Sequence, residues 1–419
     1  MQVWMFAATR YWQEPTVLQT TFDGMAARLA EMGESRLIVD GDMAGLPECA
    51  ECAVIVPMSG GVQPHILAAA KRCSRVILYA GYCGGNFRAD AIEKMLRNNA
   101  APTLMDTWGV LKRTHSQVHL AVTEGELCDL LCALRACEDI RSRKLILIGD
   151  TEPWVISNAR DKQAYARKLG VEIEQVTPAE VMERYARITA EESRWLRNYY
   201  EDNATAMCGP SGSDLTDACR FGVALIKTLE AHEAAGGAIA CFHLIAQTGT
   251  NACLGVGYIN DCTDRFLACE GDLDSAVTML LMKRLTQKGI WMANPCLDAS
   301  GKVNFSHCTS PCHAGGETCA YTLKKHHETG VGVSLDVELP GEGDVTLCRV
   351  GNECESMTIH TGCPAAGAKM PVCHTQMWVK LDDYGHYLDT ALGCHQVIAF
   401  ENMERKLRMA AQILGLNVL

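Results

Sequence analysis

Three continuous β-rich runs near the start of the chain, SRLIVDGD (35–42), CAVIVPMSGG (52–61) and RVILYAGYCGG (75–85), alternate with helical stretches such as FDGMAARLAEMG (22–33) and HILAAAKRCS (65–74). Strands that are apolar on both sides need cover on both faces. Crossover helices supply it, and the result is a parallel sheet between helical layers. Ligands of such sheets bind beyond the carboxyl ends of the strands, and here those ends are rich in glycine. None reads GxGxxG before a helix, so a dinucleotide site is not expected.

A second α/β layer opens at KLILIGDTEPWVIS (144–157) and continues through DKQAYARKLGVEIEQVTPAEVMERYARI as helix, strand and helix. A long amphipathic helix is expected near 214–234, with Ser213 or Asp214 of PSGSD as its N-cap, and then a strand AIACFHLIA (238–246). Past about residue 320 the pattern changes. GVGVSLDVELPGEGDVTLCRVG (330–351) alternates in polarity on either side of Pro-Gly-Glu-Gly-Asp and predicts a hairpin. MTIHTGC and TQMWVKL predict further strands, so the last third is expected to hold an antiparallel or barrel-like β unit; ENMERKLRMAAQILGLNVL closes it as a helix and a short strand.

The 419 residues, 48% hydrophobic and 21% charged, suffice for two or three domains with large cores and exclude extensive disorder. Thirty-eight basic against 50 acidic side chains leave a net charge of -12. Such a surface repels phosphate backbones, so no nucleic-acid partner is expected. No run of eighteen apolar residues occurs, and MQVWMFAATRYWQEP lacks a basic stretch followed by an apolar block. Neither a membrane span nor a secretory signal is expected, and the location implied is cytoplasmic. The 22 cysteines fit reduced thiols in a long cytosolic chain, most of them acting as small buried hydrophobes. Cys49-Ala-Glu-Cys52 has no second pair at zinc-ribbon spacing.

Chemistry gathers in FLACEGDLDSAVTMLLMKRLTQKGIWMANPCLD and VNFSHCTSPCHAGGE. Glu270 stands where an apolar run gives way to a helix, so Glu270, Asp272 and Asp274 read either as helix-start charges or as a site. Two successive strand ends then carry Asn294 and His307. His307, Cys308, Cys312 and His313 fall within seven residues and also read as a thiolate site. His326 and His327 are expected on an exposed helix, and His360 and His374 near strand ends. Trp154, after a Gly-Asp turn, is either a ring for stacking on a sugar or a core residue.

The CEGDLDSAVTM segment, the strand ending MANP, FSHC and the late LGCHQ together resemble the L-fucose isomerase and L-arabinose isomerase superfamily. IGDTEPWVISNARDKQAYARKLGVEIEQV resembles the opening of that family's middle domain. The resemblance covers most of residues 144–419, and the N-terminal third less closely. It implies two Rossmann-like parallel-sheet domains, 1–142 and 143–289, followed by a mostly antiparallel, barrel-like β domain, 290–419. It further implies aldose–ketose isomerisation of a monosaccharide with a divalent metal, Mn2+ in most members, in a homotrimer or homohexamer. Glu270, Asn294, His307 and His395 fall at the metal-ligand positions. Arg10, in the TRYWQE turn, falls where a subunit reaches its neighbour's sugar.

Asn294 departs from the family, which has a carboxylate there. An amide oxygen ligates a hard cation, but it takes no proton near neutral pH, while isomerisation through an enediol needs a base and an acid. Asp298 and Asp272 are candidate substitutes. Two other readings keep the same residues: a metal-dependent lyase or epimerase on a sugar-derived substrate, and a non-catalytic sugar-binding relative.

Overall fold

The apolar runs form strands whose carboxyl ends break at turn residues. The structure, a computed structural model, describes residues 1–12, 14–83, 89–158 and 161–419. Gln13 of TRYWQE, Gly84 and Gly85 of the third run, and Ala159 and Arg160 of the middle segment lie outside the described residues. The chain divides into two compact units, Met1–Leu131 and Cys132–Leu419.

In the first unit β1 (Gln2–Ala7), β2 (Glu34–Val39), β3 (Ala50–Pro57), β4 (Cys73–Tyr79) and β5 (Val118–Ala121) make a five-stranded sheet in the order β2-β1-β3-β4-β5. Every pairing is parallel. Trp4, Phe6, Ile55, Val76 and Leu78 bury one face together with Ile66 and Leu104 of the helices Gln63–Ala70 and Ala100–Thr114.

The second unit carries β6 (Lys144–Ile148), β7 (Glu172–Val176), β8 (Ala206–Cys208), β9 (Gly236–Ile239), β10 (Leu267–Ala268), β11 (Ile290–Leu297), β12 (Lys302–His307), β13 (His313–Ala314), β14 (Glu317–Thr318), β15 (Tyr321–Lys324), β16 (Ser334–Val337), β17 (Val345–Gly351), β18 (Ser356–Ala365), β19 (Thr375–Leu381), β20 (Gln396–Ala399) and β21 (Asn417–Val418). A parallel sheet runs β10-β9-β6-β7. Beside it, β17-β20-β11-β12-β19-β18 pair antiparallel throughout, and β17 also pairs with β18, so these strands close on themselves. The α/β class with a barrel-like C-terminal region is thus what the chain forms. Closure leaves these strands no free edge.

The helix Leu273–Leu285 joins the two sheets. It packs on β9 and β10 and also on β11, β17 and β20. Nearly every residue is buried, including Asp274, Ser275 and Thr278, as expected of a helix enclosed on all sides. Among the described residues no helix is long and apolar enough to cross a membrane.

Local expectations need correction at four places. The run AIACFHLIA is strand only to Ile239; Cys241–Thr248 is helix. A short apolar run carries no period that separates the two. The two arms around Pro340–Asp344 are strands but do not pair with each other. β16 pairs with β15, while β17, buried along its whole length, takes β18 and β20. His326 is not on an exposed helix: it follows β15 in a loop and is 4% exposed. Finally, Ser211 caps the helix Gly212–Ala231, accepting the Asp214 N–H in a capping box.

Candidate metal centre

The parallel strands β6, β9 and β10 deliver three loops to one place. After β10 the chain turns through Glu270 (φ 58°) and Gly271 (φ 64°), both left-handed. Glycine is required at the second position. A Cβ on Gly271 would lie 2.6 Å from the Asp150 carbonyl oxygen and 2.7 Å from Thr151 Cα. The turn is knitted to the loop after β6: Glu152 N–H donates to the Glu270 carbonyl (3.0 Å) and the Thr151 hydroxyl to the Gly271 carbonyl (2.9 Å). A non-glycine residue held left-handed by its surroundings is a form of strain found often at functional sites.

Glu270, His307 and His395 converge, each offering a ligand atom within 4.8 Å of the others. They come from the β10 turn, the end of β12 and the residue before β20. Asn294 of β11, half-buried, lines the same cavity with Glu270 and His307. Three of the four expected ligands therefore meet directly, and the fourth faces the space beside them. Trp154 joins them from the loop after β6. Its indole N–H donates to Glu270 Oε2 (2.6 Å), its ring packs edge-on against Phe242 at 5.4 Å, and it is 52% exposed. It is a surface residue at the mouth of the site, not a core tryptophan.

Behind the ligands lies a charge network that the sequence reading missed. His395 Nδ1 is 2.8 Å from Asp272 Oδ2, and Nε2 is 3.3 Å from Glu270 Oε1. Arg349, fully buried, donates to Asp272 Oδ2 (2.9 Å), to Ser275 Oγ (2.9 Å) and to the His395 carbonyl (3.0 Å). Asp272 also caps the helix Leu273–Leu285, accepting from Ser275 N–H and Oγ. Burial would raise the carboxyl of Asp272, yet Arg349 and His395 hold it far below the usual range. Burial likewise works against a charged His395, and Asp272, Cys394 and Glu270 outweigh it, so the ring keeps its proton well above the usual histidine range. Glu270 follows the same pattern: burial would raise it, and His395, His307 and Trp154 hold it below the ordinary carboxylate value. Burial pushes His307 down, toward the neutral form that binds metals.

These residues fit a divalent cation. A carboxylate backing a histidine whose other nitrogen faces an anionic donor is the arrangement that orients histidine ligands. His307 Nδ1, 2.8 Å from Thr309 Oγ1, has such a partner as well. The imidazolium of His395 bridges Asp272 and Glu270; a cation held by these residues would take the place of the proton on Nε2. The cavity is about 40 Å³, room for a cation and two or three waters. A monosaccharide exceeds that space.

The other candidates fall elsewhere. Arg10 lies in the first unit, its guanidinium 4.9 Å from the Tyr11 ring centre. Asp298 is in an exposed turn, accepting from Ser300 N–H (2.8 Å), so it is no substitute for a carboxylate at 294. Asp272 is none either, because its oxygens are occupied. His360 packs on Tyr387 and His386, and His374 Nε2 is 3.0 Å from the Lys325 carbonyl. The HCTSPCH residues part company. Cys308 faces the cavity, whereas Cys312 is in the core and His313 is 2.8 Å from Asp261 Oδ2.

Thiols crowd the same cavity: Cys241, Cys253, Cys269, Cys308 and Cys373 line it with His326. Their clue in the sequence was adjacency, Cys269 preceding Glu270 and Cys308 following His307. Buried cysteines elsewhere, Cys137 and Cys348 among them, behave as the small hydrophobes expected.

No protein-family model matches the chain, and no curated protein matches it.

Proposed function

We propose that this chain is a metal-dependent isomerase that interconverts an aldose and a ketose, with Mn2+ held by Glu270, His307 and His395 and with Asn294 as the fourth donor. The observation that carries this reading is the convergence of three ionisable donors, far apart in sequence, on a cavity at the carboxyl ends of a parallel sheet. Imidazole with carboxylate and amide oxygens suits a first-row divalent cation. Such a cation supplies Lewis acidity to neighbouring substrate oxygens.

Among the ligands, Glu270 is the residue able to move a proton. Held below the usual carboxylate value, it is ionised at neutral pH and accepts a proton from the carbon beside a carbonyl. Its two oxygens differ: Oε1 faces His395, and Oε2 takes the Trp154 N–H. Oε1 belongs to the ion-binding group and Oε2 to proton transfer. Returned to the neighbouring carbon on the same face while the hydroxyl proton passes from O2 to O1, that proton would complete an isomerisation in which Glu270 serves as base and then as acid. Trp154 orients the carboxylate and offers its exposed ring to the sugar. Assembly as a homotrimer or homohexamer would cover the exposed ring of Trp154, and light scattering on the purified protein tests it.

Asn294 favours a second reading. One base with an electrophile, and no second carboxylate, also suits a lyase or epimerase acting on a sugar-derived substrate. Incubation with a panel of aldoses and Mn2+ in deuterated water separates the readings. Deuterium at C1 of a ketose product supports isomerisation. Exchange without a ketose supports epimerisation, and a protein that binds Mn2+ yet exchanges nothing on any sugar counts against both.

A further inference from the structure

We propose that a second metal site, specific for a soft cation, lies beside the first: Cys253, Cys308, Cys373 and His326 hold a zinc ion. Ligand atoms of Cys253, Cys308 and His326 all lie within 4.8 Å of one another, and all three residues are buried. The Cys308 thiol is flanked by Cys253, Cys269 and Cys373, and Cys373 also neighbours His326. The four residues line one cavity. They arrive from separate places: the first residue of the helix Cys253–Cys262, the loop after β12, the loop after β15 and the approach to β19.

A packing role alone does not account for this grouping. Buried thiols that serve as hydrophobes sit among aliphatic groups; these point at one another and at an imidazole. Around tetrahedral zinc, with Zn–S near 2.3 Å, sulfur atoms stand about 3.8 Å apart, so Cys253 and Cys308, within 4.8 Å of each other, need only a small contraction, and Cys373, beside Cys308, closes in as the fourth ligand. Three sulfurs and one nitrogen, with no carboxylate, select zinc over manganese. As the Zn–S bonds form, each cysteine thiol gives its proton to solvent, so uptake is favoured by rising pH. Four protein ligands leave no open position. The site is structural, pinning the loops around residues 308, 326 and 373 that wall the neighbouring centre. It shares no ligand with Glu270, His307 and His395 and stands whether or not the isomerase reading holds.

Cobalt tests it. The full chain, purified under nitrogen, reduced with a phosphine and stripped of metal, is titrated with Co2+. One equivalent is expected to give the near-ultraviolet band of thiolate–cobalt charge transfer and strong visible bands of tetrahedral cobalt, both erased by Zn2+. The bands should persist in the E270Q H395Q variant and in C269S. In C253S C308S they should vanish, and in H326Q and C373S the cobalt affinity should fall at least tenfold. Wild-type protein without a thiolate band overturns the proposal. So does a band that survives in C253S C308S, or one lost in C269S instead; should the double variant fail to fold, a cobalt affinity unchanged in both H326Q and C373S overturns it as well.

Discussion

Asp272 caps a helix, faces His395 and pairs with Arg349, all within the buried interior. Removing one member of a buried ion pair leaves its partner uncompensated, which costs about 3–5 kcal/mol. Asp272→Asn is therefore expected to lose about that much in urea unfolding, because Arg349 is left with Asp274 at 3.8 Å. D272N R349M should lose less than the two single changes added together. Additive losses would mean that the pair is not coupled. The same substitution frees His395 from its orienting partner, and Mn2+ affinity should drop about 10–100-fold, as read by electron paramagnetic resonance of free Mn2+. Glu270→Gln keeps the shape of the side chain but removes a charged ligand and the proposed base. It should weaken Mn2+ binding and abolish solvent deuterium exchange while leaving the circular dichroism unchanged.

At the scale of elements, the turn between β10 and the helix Leu273–Leu285 is set by backbone conformation. Gly271→Ala places a Cβ against Asp150 and Thr151 in a left-handed residue. It should destabilise by about 1–3 kcal/mol and lower Mn2+ affinity by displacing Glu270; unchanged binding would show that the turn does not position the ligand. Elsewhere, Ser211 and Asp214 cap the helix Gly212–Ala231 reciprocally. Ser211→Ala is expected to cost about 1 kcal/mol without affecting metal binding. Lys325, with Ser211, holds the Asp214 carboxyl down to about 2, from 3.8 when unpaired. A depressed carboxylate contributes stability above its unfolded value and loses it as the pH falls through the folded one. The stability difference between wild type and Asp214→Asn should accordingly be constant above pH 5 and shrink between about pH 4 and 2. A difference that instead grows on acidification would place the cause elsewhere.

For the whole molecule, the centre draws on the parallel sheet through Glu270 and Trp154, and on the closed antiparallel strands through Asn294, His307 and His395. An ion at that junction binds the folded chain and not the unfolded one. At a free Mn2+ concentration of one hundred times Kd it should add about 2.7 kcal/mol to unfolding, seen as a concentration-dependent rise in Tm. E270Q should show no such rise at the same concentration.

The sequence by itself determined the layers. Continuous apolar runs closed by glycine turns specify buried parallel strands, because burial on both faces leaves no room for alternation, and period-two segments specify the antiparallel region. It also marked Glu270 and His307, which stand where an element ends, whereas Asn294, expected at a strand end, lies inside β11, and His395 was indicated by the family resemblance alone. What only the tertiary structure decided is partnership. Arg349, in a strand that is buried throughout, gives no local sign that it neutralises Asp272, and His326 follows an ordinary YTLKK. Pairing the arms of Pro340–Asp344 looked local, yet β17 found its neighbours in β18 and β20. Chain spacing and period act over a few residues, whereas the energy of a buried charge or a ligand cluster depends on groups brought together from positions tens to more than a hundred residues apart.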